Sequence, residues 1–115
     1  MRVFDLIEVK NPDLIQIRLI GNLDSSTCNV FYEKVRAIFD QSEKSIVIDM
    51  AALQYISSAG LRSLAMLFKA VSGKKHKIFI LQPQSLVKEV LTISGFVKLM
   101  PIVDDLQKVQ VGYEK

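Results

Sequence analysis

Three short apolar runs, residues 45–50, 78–81 and 99–102, each follow a stretch whose apolar residues recur at helical spacing. This alternation constrains the fold more than any other feature of the chain. A brief apolar run bounded by polar residues reads as a strand covered on both faces, as in a parallel sheet. Parallel neighbours need a crossover connection, and an intervening helix supplies it. Two more strands precede the first helix. Residues 4–9 form one. Residues 14–20 form the other, with Ile15, Ile17 and Leu19 on one face, and Gly21 ends it. Asn11-Pro12-Asp13 between them is a turn signal, so the pair reads as a hairpin.

The helices follow from caps and stripes. Asp24-Ser25-Ser26-Thr27 supplies N-caps for a helix to about Gln41, buried through Phe31, Val35, Ile38 and either Cys28 or Phe39. A second helix runs from Ser58 to about Ser72 and stops at Gly73. Leu61, Leu64, Ala65, Phe68 and Val71 face the sheet, leaving Arg62, Ser63, Met66 and Lys69 outward. A third begins at Gln84 or Ser85, buries Leu86, Val87, Val90 and Leu91, and places Gly95 at C′. Asp104-Asp105 opens a terminal helix through about Val111. The expected order is β-β-α-β-α-β-α-β-α, a mixed but mostly parallel sheet of about five strands with four helices. At 115 residues the chain is one domain, residues 1–115.

Composition excludes several function classes. Half the residues are apolar, enough for one core, yet no uncharged apolar stretch reaches the length of a membrane span. Arg2, Asp5 and Glu8 interrupt the first apolar residues, so no signal peptide is expected. The single Cys28 makes no internal disulfide. A cytoplasmic protein without membrane insertion is the expectation. The formal charge of +3 is too small to argue for nucleic acid, and no aromatic residues interleave with Lys74, Lys75 and Lys77 to stack bases. These lysines and His76 read as a solvated turn at the negative end of the second helix.

The segment Tyr55-Ile56-Ser57-Ser58-Ala59-Gly60-Leu61 is the most informative for function. It stands where a strand becomes a helix. The first N–H groups of a helix lack internal partners and carry positive potential, so a hydroxyl there caps the helix and an added phosphate is tolerated. A cap explains one serine. Two are present, followed by Ala59 and Gly60 with no bulky side chain, and Tyr55 and Ile56 add apolar surface beside them.

Here the chain resembles the STAS domain, the family of bacterial anti-sigma factor antagonists. Gly21-Asn22-Leu23-Asp24 resembles the family's turn before its first helix, and residues 46–50 its central strand. Residues 55–61 resemble its phosphorylation loop, and residues 87–100 its last long helix and closing strand. Aligned on Gly60, Ser58 falls on the family's phosphoacceptor serine, with Ser57 as runner-up. Ser57 itself stands where many members carry Asp. The resemblance implies partner switching. On this resemblance the unmodified domain is expected to bind an anti-sigma factor with serine kinase activity and so to regulate transcription, with phosphorylation weakening the binding and a serine phosphatase reversing it. The expected partner surface is Asp24, Tyr55, Ile56, Ser57, Ser58, Arg62 and Met66, with Asp49 and Gly60 shaping the loop. A second expectation is a STAS adaptor subunit of a phospholipid or anion transporter.

Enzyme chemistry finds no constellation. A serine–histidine pair would need His76, yet about 15 helical residues, roughly 22 Å, separate it from the serines. No Gly-x-Ser-x-Gly elbow, P-loop or dinucleotide fingerprint is present. One Cys and one His do not make a metal site, so no metal and no cofactor are expected.

Overall fold

Asn11 turns the first hairpin. Its carboxamide oxygen accepts the N–H groups of Asp13 (2.9 Å) and Leu14 (3.3 Å). In the computed structural model, which describes residues 4–109, this turn joins β1 (Asp5–Val9) antiparallel to β2 (Ile15–Leu23). Strands β3 (Ile46–Ile56), β4 (Ile78–Leu81) and β5 (Ile102–Val103) then add in parallel, giving one sheet ordered β1-β2-β3-β4-β5. The connections run through α1 (Cys28–Gln41), α2 (Ser58–Gly73) and α3 (Ser85–Ile93). Strands added in one direction by right-handed crossovers place all three helices on the same face. One core cluster there joins Ile17, Leu19, Ile48 and Ile80 of the sheet to Phe31, Leu64, Leu67 and Val87 of the helices. On the other face Leu14, Val47, Phe79 and Leu81 are covered by Val103, Leu106 and Val109.

The fold is the α/β sheet expected, with several corrections. The described residues hold three α-helices rather than four. Asp105 caps only a 3-10 turn, Leu106–Lys108, by accepting the Gln107 N–H, and Val109 then returns to extended backbone. The far end of the expected terminal helix lies outside the described residues. Gly21 does not end β2. It takes a positive φ of 101° within the strand, which continues to Leu23.

β3 is twice the length expected. It spends eleven residues against nine of β2, through irregularities after the Arg18–Asp49 and Gly21–Leu53 pairs. Each extra residue flips the alternation, so the helix-facing positions become Ile46, Ile48, Met50, Leu53 and Ile56. The Asp49 carboxylate accepts the Ala51 N–H at 2.9 Å, at the first irregularity, and pairs with Arg18 Nε at 3.3 Å. Asp49 therefore shapes β3 itself rather than the loop before Ser58.

Helix α2 is rotated from the expected face. Ser63 and Leu67 are buried with Gly60, Leu64 and Val71, while Leu61 and Phe68 are half-buried flanks. Ser63 tolerates burial because its hydroxyl donates to the Gly60 carbonyl at 2.7 Å. In α1, Phe39 is fully buried and Ile38 only partly. In α3, Leu86 is exposed, and Gly95 takes the left-handed conformation at C′. His76 is half-buried rather than solvated, its ring edge-on to Phe39 at 5.9 Å.

Candidate functional site

The carboxyl ends of β2 and β3 meet the amino end of α2. The Ser57 N–H donates to the Leu23 carbonyl at 3.0 Å, tying the two strand ends together. The Ser57 backbone is extended and its Oγ accepts the Gly60 N–H at 3.2 Å, so Ser57 is the N-cap of α2. That leaves Ser58 as the first helical residue, exposed and not used as a cap.

Gly60 lies against the end of β2. A Cβ built on it would meet the Leu23 carbonyl oxygen at 2.4 Å and Ile56 at 2.9 Å. The glycine therefore does more than leave the helix end open. It lets the first turn of α2 approach β2 closely.

Beside it the Gly21–Asp24 turn is locked locally. Asp24 Oδ1 accepts the Ser26 N–H at 2.9 Å and the Ser26 hydroxyl at 2.7 Å. Thr27 Oγ1 accepts the Asp24 N–H at 2.9 Å and donates to the Asn22 carbonyl at 2.8 Å. Between α1 and α2 a cleft of about 290 Å³ opens, lined by Cys28, Tyr32 and Glu33 from one helix and Ala59, Arg62 and Met66 from the other.

Residues 6–109 match the family model of the STAS domain. The chain belongs to the STAS domain family. A relative, BtrV of Bordetella bronchiseptica, whose name places it among anti-sigma factor antagonists, is 27% identical over 84% of this chain and 83% of its own. An anti-sigma factor antagonist from Mycobacterium paratuberculosis has a similar structure, with a TM-score of 0.82, 19% identity, and coverage of 91% of this chain and 89% of that one. So does the Bacillus protein SpoIIAA in its phosphorylated form, with a TM-score of 0.69, 20% identity, and coverage of 91% and 95%.

This STAS domain places the sequence-derived site residues unequally. Tyr55, Ser58, Arg62 and Met66 are exposed, Tyr55 and Met66 each to nearly half. Ser57 is half-buried as the cap. Asp24 and Ile56 are buried, at 7% and 3% exposure, and support the surface from beneath. Sequence reading missed the α1 side of the cleft. Asn29, Tyr32 and Glu33 fall at i, i+3 and i+4 beside the buried Phe31–Val35–Phe39 stripe, which is the signal that could have found them. Among the described residues no group of three or more His, Cys, Asp or Glu side chains could hold a metal, and no helix is long and apolar enough to cross a membrane.

The two serines separate by stability. Ser57→Ala should cost about 1 kcal/mol through the lost cap, whereas Ser58→Ala should stay within about 0.5 kcal/mol. Denaturant unfolding of both variants measures this, and equal losses would show that the caps are shared. Gly60→Ala should lower stability by about 1–3 kcal/mol, toward the upper end because the obstructing atom is backbone. A shift in Tm too small to detect would mean the β2 end yields freely.

Proposed function

We propose that this STAS domain is an anti-sigma factor antagonist, controlled by phosphorylation of Ser58. Its partner is an anti-sigma factor with serine kinase activity, and a serine phosphatase restores the free hydroxyl. The observation that carries this reading is the division of labour between the serines: Ser57 caps α2, so the Ser58 hydroxyl is left exposed at the helix start. The names of BtrV and of the solved structures support the same reading.

The contact surface comprises Tyr55, Ser58, Arg62 and Met66, flanked by the α1 side of the cleft. Tyr55 and Met66 supply adaptable apolar area, and Arg62 supplies directional polar contact. Buried Asp24 and Ile56 hold this surface in place. Ser in place of the family's Asp at position 57 keeps the cap but adds no carboxylate. The positive helix end then faces the phosphate without a competing charge. A phosphoserine brings about −1.5 to −2 charges at neutral pH. The helix start accommodates them, and an interface formed over a neutral hydroxyl does not.

Incubation with the cognate kinase and ATP, followed by mass spectrometry, tests the assignment. The phosphate is expected on Ser58, with Ser57 as the runner-up. Modification at a distant residue such as Thr92 would overturn it.

A further inference from the structure

Because β3, β4 and β5 are parallel, the turns that precede them share one pole of the sheet, opposite Ser58. Hydrogen bonds confirm the clustering: Lys44 Nζ donates to the Pro12 carbonyl at 3.0 Å, and the Ile46 N–H donates to the Lys77 carbonyl at 2.8 Å. At this pole a second cleft, of about 390 Å³, opens between the end of α2 and the α3–β5 connection. Its walls are Phe68, Leu99 and Pro101, and Lys75, His76 and Lys77 border it. We propose that this cleft binds a single-chain amphiphile with an anionic head.

Four observations converge on that chemistry. The walls are apolar, and Leu99, itself 49% exposed, leaves that surface open to solvent. The volume lies in the range of small-molecule sites, which are mostly apolar with a few fixed polar groups. The cations are available: Lys74 pairs with Glu43 at 3.4 Å, whereas Lys75 and Lys77 have no acidic partner among the described residues. Lys75 also sits at C′ of α2 with a φ of 66°, a place where glycine is favoured. A lysine kept in a left-handed conformation at the rim of an apolar cleft points to use of its side chain. An alkyl tail on Phe68, Leu99 and Pro101, with its head between Lys75 and Lys77, satisfies all four. Along α2 the cleft's borders, from Phe68 to Lys75, lie about 15–25 Å from Ser58, so an anionic head between Lys75 and Lys77 stands at the far end of the helix from the partner surface.

The test is a titration of isotope-labelled protein with decanoate, below the concentration at which it self-associates, followed by amide chemical shifts. Saturable shifts are expected over residues 68–77 and 99–101. Decyl phosphate should act alike, and decanol should bind at least about tenfold more weakly for want of charge-assisted contacts. A Lys75→Gln/Lys77→Gln variant should lose at least about tenfold in affinity for decanoate. Both lysines are exposed, so the variant's remaining amide spectrum should be unchanged; Lys75→Glu/Lys77→Glu provides a second variant with the same expected loss. The proposal is overturned if decanoate gives no saturable shifts at the cleft, if its shifts centre on the α1–α2 cleft, or if decyltrimethylammonium or the double variants bind as well.

Discussion

Leu67→Ala should destabilise the domain by about 2–5 kcal/mol, the range for truncating a fully buried leucine. Leu67 is 0% exposed and belongs to the main core cluster, between α2 and the sheet. Its neighbour Met66 is 48% exposed, and Met66→Ala should cost less than about 1 kcal/mol. Urea unfolding of the two variants fixes the rotation of α2. This matters for function because the same rotation that buries Leu67 presents Arg62 and Met66 to a partner. Comparable losses from both truncations would contradict the orientation and the contact surface with it.

The alternation of apolar runs with helical stretches carries the element order and all three crossovers, since each strand and each helical stripe lies in contiguous residues. What failed was non-local. The sequence pattern of β3 ends at Met50 because two extra residues break its alternation, and the role of the Asp49 carboxylate in taking up the Ala51 N–H depends on β2 lying alongside. Ser63 reads as polar surface in the sequence, although its hydroxyl is satisfied within its own helix and the residue is buried.

The site divides in the same way. That one serine of the pair caps α2 is legible from neighbouring residues, whereas the choice of Ser57 rests on its extended backbone and its bond from the Gly60 N–H. The burial of Asp24 and Ile56 depends on how the β2 and β3 ends pack, and the α1 side of the cleft depends on a helix 30 residues upstream of Ser58. The closeness of Gly60 to the Leu23 carbonyl belongs to that non-local class too.

The most direct measurement is the affinity of the unmodified domain for its anti-sigma factor against that of Ser58→Asp, with Ser58→Ala as control. Asp places a charge where the phosphate would stand, at an exposed first helical residue that contributes no cap, so the fold and Tm should be unchanged. Ser58→Asp should bind about 10- to 1000-fold more weakly, equivalent to about 1.4–4 kcal/mol. Ser58→Ala, lacking the acceptor, should bind like the unmodified domain and stay bound in the presence of ATP. Equal affinities for all three proteins, with folding intact, would contradict the switch assigned to Ser58.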